Sequence, residues 1–232
     1  MWELGSQVSG SLLIFPGPLP VMSNLLRLLQ SPRFLVSLGE SFMRVITALV
    51  ISAPLGIIVG IGAGLDKRIA AFIRPLLQVI SATPVLSVIL IAFLLLGQER
   101  TPVFTAFLMI FPVMTSNTIA GVQAVDTRLK ELLCVYPLSL YRTLRILYIP
   151  TLAPFIMGGL HSSLSLCWKV VVAAEVLVQP FRALGTGMHM AKAQLEIPEL
   201  FAWTVATVIA AGFSELVLSF VVSGCAKRKD NP

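Results

Sequence analysis

The residues able to do chemistry in this chain are few and scattered. Two histidines, His161 and His189, stand far apart, and the three cysteines, Cys134, Cys167 and Cys225, have no short spacing. That pattern supports neither a zinc site nor a disulfide framework, and the thiols read as small buried hydrophobes. Gly-x-Ser-x-Gly, His-Glu-x-x-His and the phosphate-cradling Gly-x-x-x-x-Gly-Lys-Ser/Thr are all absent. No catalytic constellation is present, so any ATP would be hydrolysed by another chain. What remains is ionisable and polar residues inside apolar runs: His161, Ser162, Ser165, Trp168, Lys169 and Glu175 in one run, Glu215 in another, and Asn117 in a third. Charges there are costly and point to a bundle interior or a water-filled path. The first set falls on one broad helical face, which is expected to be a translocation path or a subunit contact. Structural pairing or snorkelling of Lys169 and Glu175 is the competing reading.

The elements that must position these residues are membrane helices. The 232 residues are 56% hydrophobic and 12% charged, with a mean hydropathy of +0.91. Ordinary globular chains are about a quarter charged. The apolar residues fall in blocks long enough to cross a bilayer, at 38–65, 76–96, 103–122, 151–178 and 201–222. The expected fold is an all-α polytopic integral membrane protein. Ahead of these spans, residues 1–36 form an extracytoplasmic or interfacial segment: a partial helix before the prolines at 16, 18 and 20, then a short amphipathic helix at Val21–Gln30. The membrane domain is 37–222, with an external loop at 179–200 holding a helical run at Met188–Glu196, and 223–232 is a basic tail. No cleavable signal peptide is evident.

Within the first span, Ala48, Ser52, Gly56, Gly60 and Gly64 recur every fourth residue. Such a stripe drifts slowly around a helix and lets a second backbone approach closely. Glu40 and Arg44 near its start form an i,i+4 pair expected to be solvated or interfacial. The second span is interrupted by Ser81, Thr83 and Pro84, and a charged turn with Asp66, Lys67, Arg68 and Arg74 precedes it.

A net charge of +6 reports topology rather than nucleic acid, because no basic face interleaved with aromatics is available. With five spans, Lys67, Arg68, Arg74, Arg128, Lys130, Arg142, Arg145, Lys227, Arg228 and Lys229 share one side, expected to be the cytoplasm. The largest basic island, 124–150, places Leu, Val, Tyr and Arg at helical spacing between Asp126 and Pro150, which marks a folded element rather than a linker.

That island resembles the signature of the permease subunits of bacterial ATP-binding-cassette importers: Glu-Ala-Ala, three residues, Gly, nine residues, then Ile-x-Leu-Pro. Counting from Glu131, Pro137 stands at the Gly position, Leu147 at the Ile, Ile149 at the Leu and Pro150 at the Pro; both alanines are Leu. Phe15–Pro20, Ser41–Arg44, Phe111-Pro112 with Asn117 and Gly121, Trp168–Glu175, Gly185–Gly187 and Leu200–Trp203 extend the likeness to the nitrate, sulfonate, taurine and bicarbonate group. The resemblance implies a type I permease fold and a cytoplasmic coupling helix at 128–136, ended by Pro137. Leu129, Glu131, Leu132, Leu133, Tyr136, Pro137, Arg142 and Pro150 would be the residues coupling it to an ATPase. It further implies a homodimer in the bacterial inner membrane with its C-terminus cytoplasmic. Its partners would be two ATPase subunits that hold ATP-Mg, and an external solute-binding protein; this chain would need no cofactor. An ATP-independent transporter or channel component is the alternative, since it would need the path but not the island.

Overall fold

A computed structural model describes residues 16–126, 128, 129 and 139–227. The described residues form α1 (Pro18–Gln30), α2 (Pro32–Leu65), α3 (Lys67–Ala82), α4 (Val85–Leu96), α5 (Thr101–Gln123), α6 (Leu140–Thr143), a π-helical turn (Leu144–Tyr148), α7 (Ile149–Val178), α8 (Leu184–Ala193) and α9 (Ile197–Lys227). No strand occurs among them. The segment before Pro16 and the basic residues after Lys227 lie outside the described residues, as do Lys130–Leu138 of the expected coupling helix.

Among the described residues, four helices are long and apolar enough to cross a membrane: Pro32–Leu65, Thr101–Gln123, Tyr141–Val178 and Ile197–Phe220. The span expected at 76–96 is broken in the structure. It consists of α3 and α4, which meet at a 94° bend and count as a fifth span only when taken together. Pro84 offers no N–H and disfavours helical backbone in the residue before it. Thr83 is accordingly extended (φ −71°, ψ 129°), and its hydroxyl donates to the Val79 carbonyl at 2.7 Å. The charged turn is also shorter than expected. Asp66 alone lies outside a helix, accepting from the Arg68 N–H at 2.7 Å, while Arg74 sits in the middle of α3.

The chain divides into two compact units, one of residues 1–47, 85–106 and 168–232, the other of 48–84 and 107–167. In the first, α1 lies along α9 and buries Val21 and Leu25, and Phe34 meets Trp203 with ring centroids 5.2 Å apart. Trp203 takes the space beside Gly187, where a Cβ would stand 2.6 Å from the indole ring. In the second unit Ala63, Ala70, Leu77 and Ile119 join α2, α3 and α5 in one apolar cluster. Val122, Val125 and Leu152 form another with the start of α7.

Candidate translocation and coupling elements

The seam between α2 and α5 is built from residues too small to keep two backbones apart. Ser52 donates its hydroxyl to the Phe107 carbonyl at 3.3 Å. A Cβ on Gly56 would lie 2.6 Å from the Met114 Cβ, one on Gly60 2.5 Å from the Thr118 Cβ, and one on Gly64 2.5 Å from the Val122 Cβ. Steps of four on α2 therefore meet steps of four on α5. Thr115 and Thr118 donate back to the carbonyls of Phe111 and Met114, so their hydroxyls are satisfied within their own helix.

A different principle holds the loops of the first unit. Ala183, at the N-cap of α8, has no side chain able to accept a hydrogen bond, so the first turn is capped from elsewhere. The Ser41 hydroxyl oxygen accepts from the Leu184 N–H at 3.0 Å, and Glu175 Oε2 accepts from the Gly185 N–H at 3.2 Å. Position 185 must be glycine here, because a Cβ would fall 2.5 Å from that of Glu175. Ser41 in turn donates to the Glu175 carboxylate at 2.8 Å, and Arg44 Nη1 donates to Glu175 Oε1 at 3.0 Å. The same guanidinium reaches the Arg182 carbonyl at 2.9 Å and, through Nη2, Glu99 Oε2 at 2.8 Å. Glu99 then accepts from the Phe181 N–H at 2.9 Å. With its amide nitrogen turned toward them, Gln98 donates to the carbonyls of Val178 and Gln179 at 3.1 Å. One cation thus ties α2, α7, the 97–100 turn and the 179–185 loop together.

This corrects the expected Glu40–Arg44 pair. Glu40 is exposed, whereas Arg44 is buried against two carboxylates. A water-exposed i,i+4 pair contributes a few tenths of a kcal/mol, while a desolvated, charge-assisted contact is shorter and stronger. A cation alone in one apolar run and an acid alone in another was the signal that could have found it.

The residues expected on one face of α7 do not share one environment. Glu175 is fully buried and ion-paired, Trp168 is buried with its ring 6.4 Å from that of Phe42, and Lys169 is exposed. His161 and Ser165 are half-buried in the other unit. Asn117, in that same unit, donates to the Val113 carbonyl at 2.8 Å. Structural pairing is therefore what the geometry supports for Glu175.

Of the island, Asp126 accepts from the Arg128 N–H at 2.8 Å, the arrangement that opens a helix, and Arg128 and Leu129 are helical and exposed. Glu131, Leu132, Leu133, Tyr136 and Pro137 lie outside the described residues. Arg142, Arg145 and Pro150 are all exposed. The π turn ends at Tyr148, two residues before Pro150, which cannot donate to the preceding turn. The Thr151 hydroxyl donates to the Leu147 carbonyl, four residues back, at 2.8 Å.

Residues 52–230 match the family described as "Binding-protein-dependent transport system inner membrane component". The chain belongs to this family. It is therefore the multi-pass permease subunit of an ATP-binding-cassette transporter. A probable ABC transporter permease protein of Brucella melitensis is 29% identical to it over 206 residues, covering 88% of this chain and 83% of the relative. The taurine transport system permease protein of Escherichia coli is 26% identical over 223 residues, covering 94% and 81%. The nitrate import permease protein of a Synechocystis strain is 27% identical over 188 residues, covering 77% and 68%. The permease fold also superposes on a chain of a bacterial ABC transporter that imports the acidic polysaccharide alginate. The TM-score there is 0.68 over 90% of this chain and 84% of the other, at 12% identity.

Proposed function

We propose that the permease works as a homodimer in the bacterial inner membrane, importing a small oxyanion, sulfonate or related nitrogen or sulfur compound. An extracytoplasmic binding protein delivers the solute, and two ATPase subunits, which hold ATP-Mg, drive alternating access through the 124–150 segment. The observation that carries this reading is the family match, which runs from the α2 seam through that segment into α9. The binding protein's contact is drawn to the side bearing α8. There a cleft of about 430 Å³ lies among α1, α2, α8 and α9, with Arg33, Ser37, Glu199 and Trp203 on its wall. Lys192 and Glu196 stand exposed in the same outer connection. The C-terminus is cytoplasmic in this orientation, on the side of the basic residues.

Glu131 is the decisive position. Glu131→Ala is expected to leave membrane insertion intact while lowering transport-coupled ATPase activity by roughly tenfold, the effect of losing about 1.4 kcal/mol at an interface. The measurement is ATP hydrolysis and uptake in proteoliposomes holding permease, ATPase and binding protein. A permease that retained no ATPase subunit on purification, or whose uptake ran without ATP, would sink the reading.

A further inference from the structure

Helix α3 carries Arg74, Gln78 and Ser81 at i, i+4 and i+7, which places them along one side of the helix. Together with Leu77, and with Ser116 and Ile119 of α5, they line a cleft of about 330 Å³ inside the second unit. Its floor is firm, since Leu77 and Ile119 are buried in the cluster with Ala63 and Ala70. Its polar groups are a guanidinium, a carboxamide and two hydroxyls, each able to donate a hydrogen bond. Among the described residues no Asp or Glu lines it. All four polar residues are exposed, and none makes a hydrogen bond or ion pair with another described residue. Arg44 of α2, by contrast, has two carboxylates and a carbonyl. Among the described residues Arg74 has donors for neighbours and no acidic partner, a set of groups that suits an anion.

We infer that this cleft holds a small oxyanion in transit, of the sulfonate or carboxylate class, with Arg74 balancing its charge and Gln78, Ser81 and Ser116 donating to its oxygens. The inference rests on the permease reading above and names the residues that meet the solute. A guanidinium suits the task because its planar fork matches two oxygens of one anion. The volume is at the small end of ligand sites, about 300–1,000 Å³. A site held by one cation binds weakly, as a transit site must if the solute is to leave.

The test needs neither ATPase nor binding protein, so its failure is separate from failure of the importer reading. In a background with Cys134, Cys167 and Cys225 replaced by Ala, Ser81→Cys and Ser116→Cys are labelled in membrane vesicles with two methanethiosulfonates, one bearing a sulfonate and one a trimethylammonium. The anionic reagent is expected to react faster at both positions. Adding Arg74→Gln should lower the anion-to-cation rate ratio about tenfold, as loss of one nearby positive charge dictates. Lys67→Gln, outside the cleft, should leave the ratio unchanged. Ethanesulfonate should slow labelling by a neutral reagent when Arg74 is present and not in Arg74→Gln. An unchanged neutral labelling rate without ethanesulfonate certifies that the Gln variant is folded. Equal rates for the charged reagents, a ratio indifferent to Arg74, no labelling at either cysteine, or no protection by ethanesulfonate would each overturn the inference.

Discussion

The α2–α5 seam and the Arg44 network hold helices together by opposite means. Along the seam, close contact comes from removing side chains: Gly56, Gly60 and Gly64 leave no room for a Cβ against Met114, Thr118 and Val122. In the network, contact comes from adding charge: Arg44, Glu175, Glu99 and Ser41 satisfy one another and two backbone N–H groups of α8. Lipid removes the hydrophobic driving force between helices, so either dispersion at short range or polar pairing must replace it. The seam is intolerant of additions and the network of subtractions.

The largest effect should come from subtraction. Glu175→Leu leaves the Arg44 guanidinium buried beside one exposed carboxylate, and such orphaned charges cost about 3–5 kcal/mol. Thermal unfolding of the purified permease in detergent should show a large fall in midpoint. Arg44→Met with Glu175→Leu should be less damaging than either single change. Additive losses would show that the two groups are not coupled.

Next comes addition. Gly60→Leu should destabilise by about 1–3 kcal/mol through overpacking, measured in the same unfolding assay. Gly62→Ala is the matched comparison on the same helix, because its nearest neighbour would be 3.9 Å away, and it should be neutral or slightly stabilising. Equal behaviour of the two variants would dissolve the contrast between seam and network.

The smallest effect sharpens the contrast at an exposed connection, where two carboxyls of like charge meet. Glu196, just ahead of α9, has its pKa raised by a hydrogen bond to Glu199 and by that neighbour's charge. A raised carboxyl pKa means the folded state holds the proton longer, so any stabilisation from the shared proton is lost as pH rises through the folded value. Carbon-13 NMR of labelled glutamate should show Glu196 titrating above the ordinary range. Glu199→Gln should bring it down, and an unmoved midpoint would assign the shift elsewhere.

Much of this architecture was legible in the residues themselves. Long apolar runs marked the spans, and spacing by four marked the glycine stripe, because both signals are local. Pro84 announced an interruption, but the 94° bend depends on Thr83 taking an extended backbone. Arg44 illustrates what locality hides: Glu40 is four residues away, while its true partners, Glu99 and Glu175, are 55 and 131 residues along the chain. The cap of α8 was hidden for the same reason, since Ala183 gives no capping signal and the acceptors come from α2 and α7. Arg74 read as a loop charge because Lys67 and Arg68 lie close by; only the helix running through it reveals the cleft.

The π turn at Leu144–Tyr148 can be regarded as an α-helix carrying one residue too many. One residue of an α-helix subtends about 100°. Deleting a single residue within the turn would turn everything on its island side by about that angle relative to α7, with little change in length. Arg142 would then face a different direction with no change in its identity. The turn thus works as an angular setting for the segment read as the coupling element, a quantity that no substitution of a side chain can adjust.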